Sequence, residues 1–277
     1  MTRGKIVCPV CPHHCALAEG ETGWCRARGA QNGAVVSLNY GRVASLALDP
    51  VEKKPFARWM PGKFILSVGS FGCNLRCPFC QNDAISQAGA SFPTTEMPPE
   101  DLAHLAEEFV PRGNVGVAFT YNEPLIGYEY VRDTARLLKE AGLSAAVVTN
   151  GGMAPRLFRE LLPLVDAFNI DLKGWRSSFY DWVGGDLAAV KENIRQAAAA
   201  AHVEVTTLIV PGKNDDSADM EAEAAWLAEI SPMLPLHISR YFPRFLTTEI
   251  PATPVAVIHR LAEVARRHLR YVYEGNV

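Results

Sequence analysis

Phe64-Ile-Leu-Ser-Val-Gly-Ser-Phe-Gly-Cys73-Asn-Leu-Arg-Cys77-Pro-Phe-Cys80 reads as a short apolar strand, expected over 64–70, that runs directly into a loop carrying three thiols. Downstream of it the texture repeats. Short β-branched runs at 115–120, 145–149, 167–171, 203–210 and 236–239 alternate with longer Ala/Leu/Glu-rich stretches near 99–109, 125–141, 155–163, 185–201, 216–230 and 254–269. This is the rhythm of βα units around a parallel sheet. Six units predict an α/β fold, a partial (β/α)6 TIM-like barrel over 61–277. Upstream, residues 1–60 are rich in Cys, Gly and Pro, with strand expected at 34–38 and 42–48, and read as a Cys-rich N-terminal metal-binding cap.

All seven cysteines lie at or before residue 80, split into Cys8, Cys11, Cys15, Cys25 and Cys73, Cys77, Cys80. The second group offers three thiolates on one loop. An iron–sulfur cubane has four irons, so three protein thiolates leave one iron open to a small molecule. A zinc knuckle built on the same loop needs a fourth donor, and His104 is the downstream candidate. The first group offers four thiolates, enough to close a tetrahedral zinc site or to hold a second [4Fe-4S] cluster, with His13 and His14 as spare donors. A disulfide pairing of these four is a third reading, disfavoured in a reducing compartment.

Composition narrows the classes. The chain has 277 residues, 48% hydrophobic and 21% charged, with a net charge of −3. There is no dense basic run, so nucleic acid is not expected as a partner. No stretch of about 18 uninterrupted apolar residues suggests a membrane span, and the N-terminus lacks the apolar segment of a secretory signal, so the expected location is cytoplasmic.

In a parallel βα barrel the reactive groups sit on loops after the carboxyl ends of strands. Here the polar oddities follow the expected strands: the cysteine loop, Tyr121-Asn122-Glu123-Pro124, Asn150-Gly151-Gly152, Asp171-Leu172-Lys173, Pro211-Gly-Lys-Asn-Asp-Asp216 and Arg240-Tyr241-Phe242. Taken singly, Asn150-Gly-Gly reads as a turn and Asp171/Lys173 as a solvated strand end. A shared rim is what marks them as a candidate cofactor site.

Cys73-x3-Cys77-x-Phe79-Cys80 resembles the signature of the radical S-adenosylmethionine (SAM) superfamily. The resemblance implies that Cys73, Cys77 and Cys80 ligate a [4Fe-4S] cluster whose open iron chelates SAM, with Phe79 and Asn82 flanking the adenosyl end. Tyr121-Asn122-Glu123 stands where such enzymes carry Gly-Gly-Glu, which would give Glu123 the methionine ammonium. Asn150 resembles the polar position that meets the methionine carboxylate or ribose. Asp171 and Lys173 resemble the Asp-x-Lys pair of glycyl-radical (pyruvate formate-lyase) activating enzymes, near sulfonium and ribose. The strand and turn from Leu208 resemble the segment lining the adenosine; Glu204 and Thr206 stand where those enzymes tend to carry Arg.

Cys11-Pro-His-His-Cys15, Gly23-Trp-Cys25-Arg-Ala-Arg28, Asp49-Pro-Val-Glu-Lys-Lys-Pro55, Thr120-Tyr-Asn-Glu-Pro124 and His237-Ile-Ser-Arg-Tyr-Phe-Pro243 are similar to the radical enzyme of the AmmeMemoRadiSam system. Two departures stand out: Phe242 replaces a histidine, and family members often continue into a Cys-containing tail. The implied activity is that of a radical SAM oxidoreductase, which cleaves SAM reductively to a 5′-deoxyadenosyl radical and takes a hydrogen atom from a small-molecule or protein substrate. A reducing protein such as flavodoxin or ferredoxin would supply the electron. The alternatives are an activating enzyme that places a glycyl radical on a partner protein, and a non-catalytic zinc or redox-sensing module.

Overall fold

A computed structural model describes residues 4–277. The first segment holds β1 (Ile6–Val7), β2 (Ala16–Leu17), β3 (Arg28–Gln31), β4 (Ala34–Ser37), β5 (Arg42–Val43) and β6 (Ser45–Pro50). Next come β7 (Phe64–Gly69), α1 (Asp83–Ser86), β8 (Thr95–Glu96), α2 (Pro99–Glu108), β9 (Asn114–Phe119), α3 (Tyr128–Glu140) and β10 (Ser144–Thr149). The remainder is α4 (Pro155–Phe158), β11 (Ala167–Asp171), α5 (Ser177–Val183), α6 (Leu187–Ala198), β12 (His202–Ile209), α7 (Ser217–Ile230), β13 (Leu236–Arg240), α8 (Val255–Ala265) and β14 (Val272–Gly275).

Eight strands form one open sheet in the order β14-β13-β12-β11-β10-β9-β7-β6. All neighbours pair in parallel except β6, which runs antiparallel to β7. Strands in sequential order joined by right-handed crossovers place their helices on one face. The other face is left to curve inward, the geometry of a partial barrel.

Alternation along the strands sorts the two faces. Leu66, Val68, Val117, Phe119, Val147, Phe168, Ile170, Val205 and Ile238 belong to the large core shared with the helices. On the inner face Ile65, Ala118, Ala146 and Ala167 form a second core with Val51, Phe56 and Trp59. The three alanines are small enough to admit Phe56, so segment 51–59 plugs the barrel at the amino ends of its strands. That plug is fastened by polar contacts. Buried Glu204 accepts the backbone N–H groups of Ala57 and Arg58 at 2.9 and 2.8 Å, and the Asn169 amide donates to the Pro55 carbonyl at 2.9 Å.

Each of the six expected strands is present, and the sheet gains β14 and β6 at its edges. Composition groups 42–59 with the cap, whereas β6 pairs with β7 and the residues after it fill the barrel. The 42–48 run divides into β5 and β6. The helix expected over 155–163 is only α4: beyond Phe158 the Glu160 and Leu161 N–H groups bond three residues back, to the Leu157 and Phe158 carbonyls, so the chain tightens into 3-10-type turns, and Pro163 has no N–H with which to resume the α pattern. Helix α5 has no counterpart in the sequence pattern, since its Ser-Ser-Phe-Tyr-Asp-Trp-Val has weak intrinsic helix preference. It ends at Gly184, at φ 73°. Among the described residues, no helix is long and apolar enough to cross a membrane.

Candidate active site

A solvent-open cavity of about 260 Å³ lies at the carboxyl ends of the parallel strands. Cys73, Cys77 and Cys80 line it, and so do Phe79, Asn82, Tyr121, Asn122, Glu123, Asn150, Asp171, Lys173 and Leu208. Residues from five different strand ends therefore share one wall. Inner-face alternation adds Thr120, Val148, Thr206 and Ser239, together with Thr149 and Asn276. Their place on this wall is not legible in sequence, because a neutral side chain on a strand carries no spacing signature.

His104 lies elsewhere, on α2, with its side chain 72% exposed beside Glu107 and Glu108. The zinc-knuckle reading thus loses its fourth donor. The seven cysteines are unpaired. Burial pushes the Cys77 thiol up to about 12 and Cys73 well above its ordinary value. The Leu75 N–H donates to Cys73 Sγ at 3.3 Å, and Asn150 Nδ2 approaches the same sulfur at 3.6 Å. Among the described residues no three His, Cys, Asp or Glu side chains converge on a single metal ion. Three thiolates on three separate irons of a cubane have no need to.

Glu123 is 2% exposed. Its carboxylate accepts the Thr149 hydroxyl at 2.7 Å and the backbone N–H groups of Leu125 and Asn150 at 2.9 and 2.7 Å. Three of roughly four acceptor positions are taken, leaving capacity for one further donor. Burial pushes its carboxyl up to about 7, against the opposing pull of these hydrogen bonds.

Lys173 Nζ donates to Asp171 Oδ2 at 2.6 Å. Burial disfavours the ammonium, but the neighbouring carboxylate outweighs it and raises the lysine above its usual range. Asn214 fixes this loop, donating to the Lys173 and Leu208 carbonyls and accepting from the Val210 N–H. Phe79 is buried among Phe179, Trp182 and Tyr241.

Two expected site residues commit their amides to the scaffold. Asn122 accepts the Ser70 N–H at 2.9 Å and donates to the Phe71 and Gly72 carbonyls. Asn150 donates to Asn74 Oδ1 at 2.8 Å and accepts the Gly152 N–H. Both hold the cysteine loop in place. Phe242 does not line the cavity; it is 43% exposed beneath the Arg240 guanidinium.

The N-terminal quartet packs against the same loop. Burial, together with the nearby Cys25, Cys8 and Cys15 sulfurs, pushes the Cys11 thiol up to about 12. The Trp24 N–H donates to Cys15 Sγ at 3.3 Å. A Cβ on Gly72 would lie 2.6 Å from the Cys25 carbonyl oxygen, so the Cys25 segment and the cysteine loop touch at a residue where only glycine fits. His13 is engaged rather than spare: its Nε2 lies 2.8 Å from the Asn74 carbonyl.

A parallel barrel segment with a three-cysteine loop opening onto a polar cavity at its carboxyl rim defines an α/β-barrel scaffold with a thiol-lined polar site. The chain belongs to the radical SAM superfamily, whose family description matches residues 67–225. An uncharacterized protein of Methanocaldococcus jannaschii is 38% identical over 278 residues, covering 99% of this chain and 82% of that one. The pyruvate formate-lyase-activating enzyme of Clostridium pasteurianum is 31% identical over 148 residues, 50% of this chain and 60% of that enzyme. Among solved structures, a radical SAM methyltransferase from Sphaerobacter thermophilus superposes with a TM-score of 0.61 at 16% identity, over 78% of this chain and 67% of that one. At that identity the likeness concerns fold alone. Family membership implies a [4Fe-4S] cluster and SAM, and the relatives of named activity are enzymes.

Proposed function

We propose that this chain is a radical SAM oxidoreductase in which Cys73, Cys77 and Cys80 hold the [4Fe-4S] cluster. The observation that carries the reading is that all three thiols open onto one cavity with the polar ends of the neighbouring strands. When bound, the cluster and SAM supply a 5′-deoxyadenosyl radical that abstracts a hydrogen atom from substrate.

The chain's own part is binding, orientation and exclusion of water. Glu123 offers its remaining acceptor position to the methionine ammonium. The Asp171–Lys173 pair presents polar atoms to the ribose and sulfonium region, and Asn214 keeps that pair from drifting. Phe79 and Leu208 give the adenosyl end an apolar wall, with Asn82 and Tyr121 beside it. Asn122 and Asn150 keep the thiol loop in register with these groups. The buried aromatic cluster behind Phe79 limits water near the reacting carbon.

A second reading, activation of a partner protein by forming a glycyl radical, is supported by the similarity to the Clostridium pasteurianum enzyme and to the benzylsuccinate synthase activating enzyme of Thauera aromatica. The N-terminal quartet would hold a second [4Fe-4S] cluster, which does not require its thiols to converge on one ion as zinc would, within the segment that precedes β6. A flavodoxin or ferredoxin would deliver the electron.

Anaerobic reconstitution, iron and sulfide counting, and a dithionite assay for 5′-deoxyadenosine test the enzyme reading. A fully loaded protein that yields no 5′-deoxyadenosine would overturn it in favour of a metal-binding or redox-sensing module.

A further inference from the structure

The Asp49-Pro-Val-Glu-Lys-Lys-Pro55 motif has no part in the chemistry described above, yet two of its side chains reach the loop that carries Glu123. Asp49 lies near the end of β6, and Lys54 follows the 3-10 turn Val51–Lys53. Lys54 Nζ lies 2.8 Å from Asp49 Oδ2, with the lysine side chain only 6% exposed. The Tyr121 hydroxyl donates to that same Asp49 oxygen at 2.9 Å. Lys54 Nζ also sits 3.4 Å from the tyrosine oxygen and 4.6 Å from the ring centroid. Lys53, at 4.0 Å from Asp49 and 68% exposed, adds little.

Tyr121 occupies the left-handed backbone region, at φ 72°. A bulky residue incurs a conformational cost there that glycine avoids. The position corresponds to a glycine in the Gly-Gly-Glu pattern that this segment replaces. Room for the strained residue comes from Gly69, where a Cβ would stand 2.8 Å from Tyr121 Cδ2. The Tyr121 carbonyl is in turn held by Asn82 Nδ2 at 2.8 Å. Ring, hydroxyl and carbonyl are thus each restrained, and the next residue but one is Glu123.

We infer that Asp49 and Lys54 form a clamp that holds Tyr121 in its left-handed conformation and thereby positions Glu123 for the SAM ammonium. Both are positioning residues, acting through Tyr121 without lining the cavity. The inference rests on the proposed function. It accounts for how a chain without glycine at 121 keeps the sharp turn: an ion pair between buried Lys54 and half-buried Asp49 supplies the restraint that glycine makes unnecessary.

The test is a double-mutant cycle on the anaerobically reconstituted, reduced protein. SAM affinity is read from the change in the cluster's EPR signal on titration, with iron content and melting temperature as controls. Lys54→Met should weaken SAM binding by about tenfold or more in the Tyr121 protein, and by less than about threefold in the Y121G background, where no clamp is needed. If Lys54→Met does not load a cluster, Tyr121→Phe, which removes only the hydroxyl, is compared with wild type in its place, and a loss of about threefold or more is expected. No loss in either single variant, or an equal Lys54→Met loss in both backgrounds, overturns the clamp while leaving the enzyme reading intact. A wild-type protein that loads a cubane and gives no spectral response to SAM overturns the enzyme reading itself.

Discussion

Glu123 accepts the backbone N–H of Asn150 at 2.7 Å, so one buried carboxylate joins the loop after β9 to the end of β10. That carboxylate serves the cavity wall and the scaffold at once. Glu123→Gln would turn an acceptor into a partial donor against N–H groups that need acceptors. We expect SAM affinity to fall by about tenfold or more, with a loss of roughly 1–3 kcal/mol in stability. Titration of the reconstituted protein and thermal melting measure the two effects separately.

Cys77→Ala removes one corner of the proposed cubane. Formation of 5′-deoxyadenosine should fall to background, with iron content reduced. Cys15→Ala should retain some cleavage if the quartet is a structural staple and lose it if the quartet relays electrons. Wild-type turnover in Cys77→Ala would contradict the assignment.

Gly72→Ala tests the contact between the Cys25 segment and the thiol loop. At φ 88°, and with the Cys25 carbonyl oxygen 2.6 Å from where a Cβ would stand, alanine has neither the backbone conformation nor the space. A destabilisation of roughly 1–3 kcal/mol is expected, with less iron bound at the Cys73 loop. Denaturant unfolding and iron analysis report both.

Glu204 governs acid stability at the opposite end of the barrel. Burial would raise its carboxyl, but His202, His237 and the Ala57 and Arg58 N–H groups outweigh that and hold it at about 2. A depressed native value means that the contribution is fully present above the unfolded carboxylate value near 4.3 and is lost as pH falls through about 2. Glu204→Gln should therefore cost about 3 kcal/mol at pH 7 and progressively less between pH 4 and 2. Urea unfolding of both proteins across that range checks the sign. A mutant deficit that stays constant down to pH 2 would show that the carboxylate charge is not the cause.

Phe56 is fully buried in the inner core, at the far end of the barrel from the thiol loop. Phe56→Ala should lower stability by about 3–5 kcal/mol. SAM affinity at temperatures where the variant remains folded should change by less than about threefold, because Val148 is the cavity-lining residue that packs against that cluster and it carries no polar group for the cofactor. Calorimetry and the binding titration together separate plug from site.

Periodicity and spacing alone carried a large share of this protein. Alternating apolar runs and Ala-rich stretches specify the βα repeats, since each strand and helix must present an apolar face at its own period. The Cys73-x3-Cys77-x2-Cys80 spacing specifies a three-thiolate loop, since it is local in the chain. Residues that act across the chain were not legible in this way. Nothing in Glu204 announces that it fastens residues 57 and 58, and nothing in Tyr121 announces a left-handed backbone braced from Asp49 and Lys54. Such roles depend on which inner-face positions meet once the sheet has curved, and a linear pattern does not encode that meeting. Local pattern along the chain sets the class of fold and the donor atoms; which neutral and buried groups hold those donors in place is set by packing, because only packing brings residues distant in the chain within hydrogen-bond reach.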